Sequence, residues 1–503
     1  MISYLTTSIP YVNARPHLGH ALEFVQADVL ARHRRLRGQQ VRFLTGTDDN
    51  ALKNVTAARE AGLPVADFVR ANGDAFIALA DELAISYDDV IRTGSDPRHR
   101  RGVEALWHRI RDDLYRRSYT GRYCSGCEQF YTDAELVDGR CPEHGTVPEL
   151  ITEQNWFFRL SAYQDRIEQA ITSGRVRIVP EHRRAEVLSF VRSGLEDFSV
   201  SRAAERTGGW GIAVPDDPGQ TIYVWWDALA NYITALGYPD HQAYRTWWRG
   251  SDERIHVIGK GISRFHAVYW LGTLLAAGEP LPTSVIVHEY LQLGGRKISK
   301  SDTAARAEEP SVIAHRYGRD ALRWWLVSDV NRVGDTDFSE DRLRRRYTED
   351  LTNTIGNLVN RVVVLTGRAF PGGIPEVTTF LPELTGVRDA STGLPSIVDH
   401  QLDRFDLRRA TAAVVEVAAR ANQAIESLRP WELTRSDRPA DRDRLAAICR
   451  DLVGVCRVIA AELLPFLPDG TGRLAAALGN GNRVGDPVPA FPRLQLRDDT
   501  PHG

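Results

Sequence analysis

The chain is 503 residues long, with 43% hydrophobic residues, 63 Lys plus Arg against 66 Asp plus Glu, and a formal net charge of -3. That length can bury a large core and suggests roughly two to four domains. The near-neutral balance excludes a whole-protein electrostatic footprint for nucleic acid, so any RNA contact must come from local patches. Residues 1–9 lack the charged n-region and apolar core of a signal peptide, and no run approaches the ~18 apolar residues of a membrane span. A cytoplasmic location is expected. Five cysteines in so long a chain do not suggest a disulfide framework; their clustering argues for metal in a reducing compartment.

In chain order, Ile2 to Ile9 reads as a buried strand ending at Pro10. After His17-Leu18-Gly19-His20, the segment Ala21 to Leu36 has helical periodicity, with Leu22, Val25, Val29 and Leu30 on one face and an Arg-rich end. Val41 to Leu44 is a second strand, followed by Thr45-Gly46-Thr47-Asp48-Asp49. Strand, helix, strand opens a parallel doubly wound sheet, and ligands of such sheets bind at the carboxyl ends of strands, where His17 and Asp48 fall. Residues 118–160 break the pattern and read as an insertion. Thr221–Trp225, Arg254–Ile258 and Ser284–His288 predict further strands. From Pro310 the chain reads as almost wholly helical, with a loop at 371–396 where Pro and Gly are denser.

Three groups of residues carry chemistry. His17 and His20 sit at a helix N-terminus, where imidazole donors and the helix dipole suit phosphoryl oxygens, and Gly19 between them has reason to be small. Lys297-Ile298-Ser299-Lys300-Ser301 follows Gly294-Gly295, so Lys297 and Lys300 read as two cations on a glycine-preceded loop. Cys124-x2-Cys127, then thirteen residues, then Cys141-x2-His144 supplies three thiolates and an imidazole. With all four tetrahedral positions filled, the zinc ion would be structural. Cys449 and Cys456 read as core residues of a helix.

The two motifs together, at this order and separation, resemble the ATP-binding signatures of class I aminoacyl-tRNA synthetases. Pro10-Tyr11-Val12-Asn13-Ala14, Leu44-Thr45-Gly46-Thr47-Asp48 and Tyr223-Val224-Trp225-Trp226-Asp227-Ala228-Leu229-Ala230-Asn231-Tyr232 make the chain similar to the methionyl-tRNA synthetase family over nearly its whole length. The resemblance implies an α/β fold: a Rossmann-like doubly wound parallel sheet, an inserted zinc-knuckle connective subdomain and a C-terminal α-helical bundle. The implied boundaries are 1–115 and 171–290 for the two catalytic halves, 116–170 for the insertion, 291–345 for the KISKS and stem-contact region, and 346–503 for the anticodon-binding domain. It implies that ATP is held by His17, Gly19, His20, Lys297, Ser299 and Lys300, with His17, His20, Lys297 and Lys300 catalytic. Ile9, Tyr11, Asp48, Trp225, Ala228, Leu229, Tyr232 and His288 would bind methionine, Asp48 taking its ammonium. An unbranched thioether suits such an apolar, aromatic pocket. The implied partners are MgATP, methionine and a tRNA with a CAU anticodon, read by Asn357, Arg361 and Trp431. The family's appended dimerising domain is not seen, so a monomer is expected.

Four positions depart from the family pattern. Asp48-Asp49-Asn50-Ala51 stands where Asp-Glu-His-Gly is usual, Gly261 where an aspartate is usual, Glu289 where glycine is common, and Asp302 to Arg306 where Gly-Asn is usual. They motivate an alternative: a synthetase-like ligase that adenylates a different amino acid and passes it to a small molecule. A non-catalytic tRNA-binding relative is a third reading, with little use for both ATP motifs.

Overall fold

The computed structural model describes residues 1–124, 129–131, 133–142, 145–297 and 309–494. The chain divides into two compact units. One comprises Met1–Pro16, Gly38–Ala80 and Ser86–His288; the other comprises His17–Arg37, Asp81–Ile85 and Glu289–Gly503.

The first unit is built on six parallel strands: β1 (Ile2–Thr7), β2 (Gln40–Thr47), β3 (Asp89–Arg92), β4 (Arg177–Val179), β5 (Glu253–Gly259) and β6 (Ser284–His288). Their order across the sheet is β3-β2-β1-β5-β6-β4. The chain reverses direction of growth after β3, as a doubly wound sheet requires, with β1 and β5 adjacent at the centre. β1 and β6 are buried almost throughout, as strands of a parallel sheet covered on both faces are. One core cluster joins Tyr4, Leu44, Trp226, Trp248, Trp270 and Val285; burying each such side chain contributes about 1.5–3 kcal/mol.

Between β3 and β4 the chain forms two long strands, Leu114–Cys124 and Glu149–Phe158, at the centre of an antiparallel four-stranded sheet. The expectation of a strand through Trp225 is corrected. A strand ends at Ile222 in a small three-stranded sheet, and Val224–Thr234 is a helix. The residues are apolar at almost every position, so periodicity could not separate a buried strand from a buried helix.

The second unit is helical. Helix α1 (Leu18–Leu36) is the connection between β1 and β2, and with it stand α2 (Arg319–Ser328), α3 (Asn357–Ala369), α4 (Thr385–Asp403), α5 (Leu407–Leu428), α6 (Pro430–Leu433) and α7 (Pro439–Leu463). The expected loop at 371–396 is shorter than predicted, because α4 begins at Thr385 and contains Pro395. Its buried positions Val387, Ser391, Leu394, Val398 and Leu402 recur at helical spacing, and that apolar stripe outweighs the lost backbone bond at Pro395.

Asp28 of α1 and Arg323 of α2 are both fully buried and paired at 2.8 Å. Arg323 also donates to the carbonyls of Leu83, Pro465 and Phe466, and Arg32 donates to Asp28 at 2.7 Å. Every charge is therefore matched, which a buried pair needs if desolvation is to be offset. Arg37, at the end of α1, binds Asp399 and Glu462, each at 2.7 Å. Replacing Arg323 by Met leaves Asp28 buried with less compensation, and unfolding in urea should show a loss of about 3–5 kcal/mol. The double variant Asp28→Leu/Arg323→Met should recover much of that loss; no recovery would mean the pair is not what holds α1.

Candidate active site

His17 is the N-cap of α1. Its Nδ1 accepts from the backbone N–H of Gly19 at 3.1 Å, and His20 Nδ1 accepts from the N–H of His17 at 3.0 Å. The two residues form a reciprocal capping box built from imidazoles in place of the usual hydroxyl and carboxylate. Their rings stack at 3.8 Å between centroids. A ring nitrogen that accepts from the backbone cannot carry a proton, so each neutral imidazole holds its hydrogen on Nε2 and presents a donor there. Gly19 is explained as well: a Cβ at that position would lie 2.9 Å from Cε1 of His17.

The helix Val224–Thr234 turns Trp225, Ala228, Leu229 and Tyr232 into an i, i+3, i+4, i+7 series, one face of a helix. Trp225 stacks on Phe265 at 3.9 Å and meets Tyr11 edge-on at 5.8 Å. Ile9 and Trp225 are half-buried against the core cluster that includes Leu229 and Tyr232.

Tyr232 shows what sequence reasoning missed. Its hydroxyl lies 2.6 Å from Nε2 of His266, and His266 Nδ1 lies 3.0 Å from the Ile262 carbonyl. A carbonyl only accepts, so Nδ1 carries the proton and Tyr232 donates to Nε2. The ring of Tyr232 also lies 4.1 Å from that of His256. His256 receives the indole N–H of Trp270 and donates to Thr6 Oγ1 at 2.8 Å; complete burial pushes its pKa well below the ordinary value, so it stays neutral. His288, the predicted imidazole, ends β6 opposite Gly259 and is buried. A signal for His266 existed: Ile262, Phe265, His266 and Tyr269 have helical spacing directly after β5.

Asp48 follows β2. Its backbone N–H donates to Pro10 at 2.9 Å, extending the β1–β2 pairing to Tyr11. Its carboxylate accepts the N–H of Asn50 at 3.2 Å, and Asn54 holds the carbonyls of Asp48 and Asp49, both at 3.0 Å. The departing residue Asn50 has a defined role, since its amide donates to Asp227 at 2.7 Å. The other oxygen of Asp227 pairs with His99, which bonds Thr234 at 2.8 Å. This buried network ties the Asp48 turn to the helix that carries Trp225 and Tyr232. Ala51 packs on Tyr223 and Val224. Gly261 lies in the turn after β5, and Glu289 is buried directly after β6.

Lys297 ends a short strand paired across the Gly294–Gly295 turn, where φ values of 57° and 74° require glycine. Ile298, Ser299, Lys300 and Ser301 lie outside the described residues, as do Cys127 and His144. Cys124 and Cys141 share a buried cluster with Tyr131. On α3, Asn357 and Arg361 line one cleft; Arg361 pairs with Glu426 at 2.7 Å and lies 5.8 Å from the ring of Trp431, which is 38% exposed.

The model of tRNA synthetases class I (M) matches residues 3–146 and 144–363, which places this doubly wound chain in the class I tRNA synthetases. The chain is 36% identical over 519 residues to the methionine–tRNA ligase of Brucella suis, covering 99% of this chain and 98% of that relative. It is 37% identical over 480 residues to that of Caldanaerobacter subterraneus, covering 95% and 74% respectively. Methionyl-tRNA synthetase of Mycobacterium tuberculosis, solved bound by methionyl-adenylate, matches with a TM-score of 0.91 and 34% identity over 98% of this chain and 100% of that one. The chain belongs to the methionyl-tRNA synthetase family.

Asp49 yields a pH test. Burial raises its pKa to about 6, although the Thr47 hydroxyl and Gly94 N–H pull it down. A carboxyl raised in the folded state contributes stability that is full below its unfolded pKa of about 3.9 and is lost as pH rises through about 6. Between about pH 4 and about pH 7 the protein should therefore lose on the order of 2–3 kcal/mol relative to Asp49→Asn. Urea midpoints of both proteins across that range check it, and parallel curves would contradict it.

Proposed function

We infer that this chain is an ATP-dependent methionine–tRNA ligase: it joins methionine to AMP and then passes the acyl group to tRNA. The observation that carries the reading is Trp225 meeting Tyr11 edge-on, on a helix that also carries Ala228, Leu229 and Tyr232, beside a buried Asp48, in a chain alike to such ligases over 99% of its length. In the first step a carboxylate oxygen of methionine attacks the α-phosphorus of MgATP, and pyrophosphate leaves. In the second, a terminal ribose hydroxyl of tRNA attacks the activated carbonyl, and AMP leaves.

The Nε2–H groups of His17 and His20 donate to phosphoryl oxygens as charge develops, and Lys297 and Lys300 neutralise the departing pyrophosphate; Gly19 and Ser299 complete the nucleotide site. This is electrostatic stabilisation by groups positioned beforehand, with no covalent nucleophile. Asp48 holds the methionine ammonium, and Ile9, Tyr11, Trp225, Ala228, Leu229, Tyr232 and His288 form the side-chain pocket, to which the geometry adds His266. Asn357, Arg361 and Trp431 read the CAU anticodon, with Trp431 offering its exposed indole for base stacking.

Pyrophosphate exchange with all twenty amino acids, run beside tRNA acylation, tests the reading. Methionine should lead, and a CAU tRNA should be charged. Another leading amino acid, or exchange without charging, would establish the small-molecule ligase instead. Trp225→Ala should raise KM for methionine by roughly 10–100-fold through lost apolar contact, with a smaller change in kcat.

The same proposal includes one structural zinc held by Cys124, Cys127, Cys141 and His144. Its support is the donor set and the shared burial of the Cys124 and Cys141 thiols. The ion would replace the core that a short insertion lacks. Metal analysis should find close to one zinc per chain, and Cys124→Ser should release it and lower the melting temperature. Metal-free protein with unchanged melting would rule the site out.

A further inference from the structure

A cavity of about 530 Å³ opens beside Trp431 in the helical unit. Its floor is apolar, formed by Val364, Leu365, Ile425 and Leu445. Its rim carries Arg361 and Arg368 from α3 and Arg442 from the start of α7. Arg361 and Arg368 are seven residues apart, two helical turns along the same face. Trp431 stands between these walls on the short helix α6.

The arginines differ in how they are used. Arg361 is occupied by Glu426, and the neighbouring Arg429 and Arg438 pair with Glu432 and Asp441. Arg368 and Arg442 are exposed, and among the described residues neither pairs with a carboxylate. One carboxylate, Asp437, lines the cavity with them, so the rim is net positive in a protein whose overall charge is -3. The local patch absent from the composition is found here. An exposed aromatic face over an apolar floor, flanked by two uncommitted cations, is the arrangement that binds single-stranded nucleic acid: bases stack while the backbone tracks the cations.

We propose that Arg368 and Arg442 form a phosphate clamp that grips the RNA backbone on either side of the base stacked at Trp431. The proposal rests on the anticodon reading of that indole and adds to it two residues that position the loop without reading sequence. Each cation should account for one released counterion set, because phosphate contacts set affinity and its salt dependence whereas base contacts set specificity.

The test is binding of a CAU-anticodon tRNA transcript to the full chain across a KCl series. For Arg368→Ala/Arg442→Ala the slope of log affinity against log salt should shrink by about 1.4, which is ~0.7 per phosphate of a single strand, with roughly tenfold weaker binding at low salt. Discrimination against a transcript with an altered anticodon should be unchanged, as should tRNA-independent pyrophosphate exchange, which also reports correct folding. Arg368→Lys/Arg442→Lys should keep the slope. An unchanged slope in the Ala variant, while Trp431→Ala weakens binding, overturns the clamp and leaves the anticodon reading standing. Lost discrimination in the Ala variant overturns it too, because the arginines would then be reading bases. If Trp431→Ala binds normally, the anticodon reading fails and the clamp falls with it.

Discussion

The buried pair of Asp28 and Arg323 is the constraint that fixes α1 within the helical unit. α1 carries the capping histidines at its first turn and Asp28 about three turns further along. A fully desolvated guanidinium must be met by acceptors in fixed positions, and Arg323 is met by Asp28 and three main-chain carbonyls. The helix cannot slide or rotate without stranding that charge. Arg37 and His33 repeat the device at the far end of α1 through Asp399, where burial pushes the His33 pKa down despite the carboxylate. The histidine pair is therefore held by charge pairing along the helix behind it, and by its own capping bonds at the front.

The aromatic cluster around Tyr232 follows a different logic, in which proton positions are set by hydrogen bonds rather than by charge. Carbonyl acceptance at Ile262 decides the tautomer of His266, and that tautomer makes Tyr232 a donor toward it. The indole of Trp270 decides the tautomer of His256 in the same way. The result is an aromatic cluster with defined polar edges. Beside it, Asn50, Asp227 and His99 lock the Asp48 turn to the helix that carries Trp225 and Tyr232. Asn50 departs from the family pattern and supplies Asp227 with a buried amide donor.

Much of this was legible in the residues, and the failures have physical causes. The strands at 254–258 and 284–288 were readable because a fully buried parallel strand has few ways to look other than apolar. The expectation of a strand over 221–225 fails at Val224 because a helix buried on most sides has the same composition. The helix puts Trp225, Ala228, Leu229 and Tyr232 on one face. The helix at 385–403 was hidden by Pro395 and two glycines, whose local cost is exceeded by five buried positions on one face. His266 was overlooked because it lies over thirty residues from Tyr232 in sequence, and only folding brings their polar atoms to 2.6 Å.

The sequence by itself determined the chemistry available: two ATP motifs, a Cys3His set, an aromatic pocket segment and a carboxylate after the second strand. These are properties of residue type and local spacing, which the covalent chain carries without folding. The tertiary structure alone decided which imidazole meets Tyr232, which nitrogen of each histidine bears its proton, and which arginines remain uncommitted. Each of those depends on partners distant along the chain, and on burial, which removes water as the alternative partner and makes a single arrangement of donors and acceptors the stable one.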